Sequence, residues 1–237
     1  MTWSTILHDR TSGRIAIAVA TKFFAVGARV PFIEPMKGAV CTQAMTNPLY
    51  GRRGLGLIRD GIGAADIVRL LTEPDAGREH RQLHVLGADG RFAARTGAEC
   101  VPWCGHWTGD DFSVAGNMLA GPQVVSETVR VLRESAELPL PRRLLAAMKA
   151  GEAAGGDKRG KQSAALVIYG DQEYSELDLR VDDHSEPLQE LERLEAVSRE
   201  RWVHFRAFSP TRENPAGIFD RAVIDAAVER SLAAERK

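Results

Sequence analysis

Cysteine is scarce in this chain. Cys41, Cys100 and Cys104 are spread over 237 residues, an odd and sparse set that makes no disulfide framework. Charge of one sign is missing as well. The 31 Lys and Arg face 32 Asp and Glu, which removes the electrostatic case for nucleic acid or an anionic membrane as a partner. The longest apolar stretches fall well short of the roughly 18–20 residues of a membrane span. A basic segment followed by an apolar run, the mark of a signal peptide, is absent from the start. Neither an internal repeat nor a low-complexity linker interrupts the chain. The expectation is a soluble, cytoplasmic globular protein with neither nucleic acid nor membrane among its partners. Its length suffices for one large domain or a domain with an appendage.

What is present is a regular alternation of β-rich and helical segments. "TWSTILHD" and "GRIAIAVATK" are β-rich runs joined by "RTSG", where Gly13 suits a hairpin turn. "GAVCTQAM" is a third strand candidate. In "NPLYGRRGLGLIRDG", Pro48 suits a first helical position and Leu55 and Ile58 follow at helical spacing. "GAADIVRLLTEPD" reads as a second helix, with Ile67, Leu70 and Leu71 on one face and Pro74 ending it. Asp89-Gly90 marks a hairpin within "RQLHVLGADGRFAARTG". The stretch "AECVPWCGHWTGDD" reads as irregular, and "FSVAGNML" as a strand. "GPQVVSETVRVLRESA" and "LPRRLLAAMKAGEAAG" read as helices, then "QSAALVIYG" and "YSELDLRVD" as strands. Everything after His184 is charged and helix-rich.

Paired helices between groups of strands do not suggest a parallel βαβ sheet. They suggest an α+β protein built as a four-layer αββα sandwich, two antiparallel sheets face to face between two helix layers. The domain is expected to span 1–187, with a helical extension over 188–237.

The segments "TKFFAVG", "TQAMTNPLYGRRGL", "FSVAGNMLAGP", "AGEAAGGDKRGKQSAAL" and "LRVDDH" resemble an N-terminal-nucleophile (Ntn) hydrolase-like bacterial family known only as a domain of unknown function. The resemblance runs from Met1 to about Pro187 and implies a proteasome-like αββα fold and a mechanism class, with no substrate. Thr2 follows Met1 directly, and methionine aminopeptidase generally removes Met ahead of a small residue. In that mechanism the freed Thr2 hydroxyl attacks an amide carbonyl and the chain's own α-amine takes the proton. An amine of pKa about 7.7–8.0 is substantially free base near neutral pH. The bland alternative is a β-branched residue opening a strand.

The resemblance also implies the remaining parts. Proteasome-like subunits carry an Asp near the end of the second strand and a Lys further on. Here "VATK" offers Thr21 and Lys22 at the strand end, and "GARVPF" offers only Arg29. Lys22 is taken as the cation near the amine, with Arg29 second and a solvated strand-end lysine as the alternative. The oxyanion donor is expected among the backbone N–H groups of Ala44, Met45 and Thr46. Gln43, Thr46 and Asn47 would be polar lining, though Asn47 ahead of Pro48 also suits a helix cap. Asp157 in "GGDKRGKQSAAL" takes the position of a carboxylate that orients the nucleophile, with Ser163 in the hydroxyl's role. A Ser right after the spacer is replaced by Gly160. Asn117, His106, Arg159 and Gln162 complete the substrate-binding candidates.

The main reading is therefore an amidohydrolase for a small C–N bond substrate, without a cofactor, with Thr2, Lys22 and Asp157 as its catalytic set. A non-catalytic ligand-binding or assembly protein on the same fold is the second. The third is a zinc-dependent hydrolase at Cys100, Cys104 and His106, whose spacing departs from the usual Cys pair. His184 would have to be recruited by the fold. Otherwise Trp103, His106 and Trp107 would shape a pocket over the site. Trp202, Phe205 and Phe208 give the extension more apolar surface than a free tail carries, so it should pack on the domain or on a second subunit. A homodimer is the default oligomer.

Overall fold

The computed structural model describes residues 2–235, with side chains through 234; Met1 lies outside them. Strands β1 (Thr2–Asp9), β2 (Arg14–Thr21), β3 (Pro31–Glu34) and β4 (Gly38–Ala44) come first, followed by helices α1 (Pro48–Arg59) and α2 (Ala64–Thr72). Four more strands follow: β5 (Arg81–Leu86), β6 (Phe92–Thr96), β7 (Gly105–Thr108) and β8 (Phe112–Asn117). Helices α3 (Gln123–Glu134) and α4 (Leu140–Ala153) precede β9 (Ser163–Tyr169) and β10 (Ser175–Val181). The chain ends in α5 (Pro187–Ser198), α6 (Trp202–Phe205) and α7 (Arg221–Glu235). None of the described helices is long and apolar enough to cross a membrane.

The strands form a six-stranded sheet in the order β10-β9-β2-β1-β8-β7 and a four-stranded sheet in the order β3-β4-β5-β6. Every pairing is antiparallel. Side chains alternate across a strand, and β1 shows what each face meets. Ser4 reaches Gln43 and His84 of the other sheet, and Ile6 joins Ile15, Ile17, Ala39, Cys41 and Leu86 in the apolar part of the intersheet layer. Thr5 faces the opposite way, onto Met148 of α4. On the far side of the small sheet, Val40, Leu83 and Val85 pack on Ile58, Ile67 and Leu71 of α1 and α2. The first unit, up to Leu191, is thus two antiparallel sheets with helices outside, an arrangement compatible with an αββα sandwich.

Two strands, β3 and β7, go beyond the sequence reading. Both are sheet edges of four residues. β3 opens on Pro31, and an edge tolerates the missing N–H. β7 lies inside the segment read as irregular, since a short, half-exposed edge strand needs no apolar repeat.

The second unit covers 192–237. Ile224 and Val228 of α7 are buried. His204 Nδ1 lies 2.8 Å from Ser231 Oγ and its Nε2 lies 3.1 Å from the Arg199 carbonyl. Arg201 pairs with Asp225 at 2.8 Å.

Glycine has opposite effects at two positions of α1. A Cβ on Gly51 would stand 2.2 Å from the Phe32 ring, whereas one on Gly56 would meet nothing within 4 Å. Gly51→Ala should therefore lose about 1–3 kcal/mol to overpacking. Gly56→Ala should gain roughly 0.5–1 kcal/mol by removing backbone freedom from the unfolded chain. Urea unfolding of the two variants checks both signs.

Candidate active site

Antiparallel pairing places the start of β1 beside the ends of β2 and β8. The end of β4 lies across the intersheet layer from it, with Gln43 bridging to Thr2. At this end of the sandwich is a cavity of about 260 Å3. Thr2, Arg29 and Thr46 supply its polar groups, Phe23, Val26 and Val30 its apolar wall, and Ala44 the turn between.

Thr2 is nearly buried, at 8% exposure. Its Oγ1 hydroxyl donates to Thr21 Oγ1 at 3.2 Å. Its carbonyl accepts from Asn117 Nδ2 at 3.3 Å and from Gln43 Nε2 at 3.4 Å. Behind it, Gln82 Oε1 accepts from Gln43 Nε2 at 2.8 Å and from Asn117 Nδ2 at 3.0 Å. Gln82 Nε2 donates to Thr96 Oγ1 at 2.8 Å and to the Gly116 carbonyl at 2.8 Å. Gln43 and Asn117, expected as lining, are buried behind Thr2 and hold it in place.

Ala44 has a left-handed φ of 66°, which turns the chain out of β4. The Met45 N–H then bonds the His80 carbonyl at 3.1 Å, and the Met45 side chain is exposed. The Thr46 N–H has no protein acceptor among the described residues, and Thr46 faces the cavity. Asn47 caps α1, its side chain accepting from the Leu49 N–H at 3.1 Å. The corner is clamped from outside by Asp75, which accepts from Arg81 Nε at 2.5 Å, Tyr50 OH at 2.5 Å and the Gly77 N–H at 2.8 Å. Arg81 Nη1 in turn donates to the Met45 carbonyl at 2.6 Å. The bond from Arg81 holds the Asp75 carboxyl well below the usual carboxylate range.

Lys22 departs from expectation. Thr21 points inward, so strand alternation turns the next side chain out. Lys22 is exposed, and its Nζ donates to the Lys161 carbonyl at 3.1 Å. The cation lining the cavity is Arg29. Asp157 is buried and acts on the backbone: Oδ2 accepts the Lys22 N–H at 2.7 Å, and Oδ1 the Arg159 N–H at 2.8 Å. The Arg159 side chain is spent on the same carboxylate, at 3.2 Å. Ser163 accepts from the Val26 N–H at 3.1 Å and donates to the Phe23 carbonyl at 2.5 Å, bracing the cavity wall. Gln162 Nε2 bonds Asp183 at 3.1 Å and takes no part in the lining.

His106 lies elsewhere. With Trp103 and Trp107 it lines a separate cavity of about 660 Å3 against α3, because β7 pairs beyond β8 at the sheet edge. The cysteine cluster is turned to backbone carbonyls: Cys100 Sγ to Arg81 at 3.3 Å and Cys104 Sγ to Cys100 at 3.4 Å. Burial raises both thiol pKa values, against a resting thiolate pair. Among the described residues no group of three or more His, Cys, Asp or Glu side chains is arranged to hold a metal ion.

The sequence reading placed Thr21 near the position of the strand-end Asp but gave it no role; the structure makes it the acceptor of the Thr2 hydroxyl. The sequence reading missed Ser4, His84 and Ser113, a buried chain in which His84 Nε2 lies 2.8 Å from Ser4 Oγ and Nδ1 2.7 Å from Ser113 Oγ. Burial pushes the His84 pKa down from 6.5 to about 3, with His106 adding in the same direction. The folded protein therefore keeps this imidazole neutral while the unfolded chain protonates it below about pH 6.5. Stability should fall as pH drops from 6.5 toward 3, with contributions of the same sign from His8 and His106. Asp75 adds its own loss only below its unfolded value of 3.8. Urea unfolding at pH 7, 6, 5 and 4 should show the decline, and His84→Gln should make it shallower.

A family model described as "Family of unknown function (DUF1028)" matches residues 2–191. No curated protein matches the chain. The crystal structure of protein SPO2555 from Silicibacter pomeroyi, of the same family, is 31% identical, with a TM-score of 0.84 over 93% of this chain and 96% of that one. Anbu, an ancestral β-subunit from Yersinia bercovieri, is 11% identical with a TM-score of 0.43 over 84% and 94%, too remote to support an argument. With four-fifths of its length matched by one model and a same-family structure superposing throughout, the chain belongs to the DUF1028 family.

Proposed function

We propose that the protein is an N-terminal-nucleophile amidohydrolase acting on a small amide-type C–N bond, with Thr2 as nucleophile and its own α-amine, once Met1 is removed, as base. The observation that carries this reading is the placement of Thr2. Thr2 lines a small cavity, its hydroxyl donates to Thr21, and its carbonyl is fixed by two buried amides. A nucleophile must be held to a fraction of an ångström, and a strand end pinned from behind does that.

The reaction follows in two halves. The Thr2 hydroxyl oxygen attacks the amide carbon, its proton passing to the α-amine, and the carbonyl oxygen takes the negative charge. The free Thr46 N–H is the donor available to that oxyanion. As the C–N bond breaks, the ammonium returns the proton to the departing nitrogen, leaving an ester on Thr2. Water then attacks the ester, giving its proton to the amine, and the hydroxyl re-forms as the carboxylic acid leaves. Arg29 is the cation lining the same cavity. Asp157 and Ser163 are positioning residues that fix the 22–26 corner.

The outward-facing Lys22 ammonium favours a second reading, a binding protein on the same fold. Intact mass of untagged protein, before and after a Thr-directed β-lactone, separates the two. The expected result is loss of Met1 and one adduct mapped to Thr2. Thr2→Ala should keep its unfolding midpoint and lose all hydrolysis. Retained turnover in Thr2→Ala, or Met1 still present on active protein, would overturn the mechanism.

A further inference from the structure

The geometry points to Arg29 as the anchor for a carboxylate on the substrate, so that the molecules cleaved are small amides carrying a free carboxyl group. This inference rests on Thr2 being the nucleophile but is tested apart from it.

Arg29 is the charged residue among the groups lining the Thr2 cavity. Arg29 is exposed, and among the described residues no carboxylate pairs with it and no acceptor receives its guanidinium. Ion pairs elsewhere are plentiful: Arg81 has Asp75, Arg159 has Asp157, and Lys161 has both Glu152 and Glu186. An arginine placed beside apolar Phe23, Val26 and Val30 with its fork left open is suited to an incoming planar anion, which it can hold through two parallel N–H bonds.

The backbone beneath it is fixed. The Arg29 N–H bonds the Val26 carbonyl at 3.0 Å, closing a short 3-10 turn. Ser163 holds the start of that turn through the Val26 N–H, and the Ala25 N–H bonds the Asp182 carbonyl at 3.0 Å. The cation thus stands on a preorganised base, which lowers the cost of ordering it on a ligand.

Size narrows the class further. About 260 Å3 is room for roughly nine waters and lies just under the usual range of about 300–1,000 Å3 for ligand pockets. A molecule of amino-acid dimensions fits, with its carboxylate at Arg29 and its amide carbonyl at Thr2. A single guanidinium matches one carboxylate charge better than a phosphate dianion.

The test measures binding to Thr2→Ala protein, which cannot turn substrate over. Calorimetric titrations would use oxamate, malonamate, succinamate and glutaramate, each against its neutral diamide and against inorganic phosphate. At least one acid should bind ten-fold or more tighter than its diamide, and Arg29→Gln on the Thr2→Ala background should erase that preference without moving the unfolding midpoint. Arg29→Lys should restore only part of it. Equal binding of every acid and diamide, a preference that survives Arg29→Gln, or phosphate binding as tightly as the best acid would overturn the anchor. Wild-type hydrolysis of the same panel keeps the two claims distinct. Selective binding without any hydrolysis refutes the nucleophile and leaves the anchor standing; equal hydrolysis of acids and diamides does the reverse.

Discussion

A side-chain amide carried into a protein interior costs about 1–3 kcal/mol for each polar atom left without a partner, and three such amides meet between the two sheets. Gln43, Gln82 and Asn117 are each 1% exposed or less, and each is held by the other two or by strand carbonyls. The Thr2 carbonyl is one of the acceptors they require. Displacing the first strand would leave Asn117 Nδ2 with one acceptor for its two hydrogens and take the longest of three contacts from Gln43 Nε2, so the network favours the observed position of Thr2. The apolar part of the intersheet layer, around Ile6, Ile17 and Cys41, supplies driving force without a unique register. Directional bonds supply the register.

That constraint also fixes how one end of the two sheets is held together. Antiparallel pairing brings the start of β1 and the ends of β2 and β8 together, and the amide network ties the end of β4 to them. The β4 corner receives a second brace from Asp75, Arg81 and Tyr50, which grip Met45 from the far side. The β2 corner is braced by Asp157 and Ser163. Both corners beside the cavity are therefore held by hydrogen bonds, and Phe23, Phe24 and Met45 are exposed.

Positions that look equivalent by comparison with other proteins play different parts here. Asp157 and Ser163 do their work through backbone groups of 22–26, one step removed from Thr2. Lys22 points away because inward Thr21 leaves no choice for its neighbour, and the positive charge in the cavity comes instead from Arg29, a residue seven positions later on a short turn.

Most of the architecture was legible in the sequence because it depends on local patterning. Alternating apolar runs, the Asp89-Gly90 turn and Pro48 behind Asn47 identify strands, a hairpin and a capped helix without reference to the rest of the chain. The short edges β3 and β7 escaped because half-exposed strands of four residues carry too little periodicity. The sequence also singled out Thr2 and the β4 corner, whose meaning is tied to a chain position and a turn. Only tertiary structure decided which side chains converge: Thr21 on the Thr2 hydroxyl, Arg29 rather than Lys22 in the cavity, His106 in a different cavity, and Ser4, His84 and Ser113 in one buried chain. Those outcomes depend on pairing between strands far apart in sequence, and side-chain direction at a corner is set by what the partner strand leaves open.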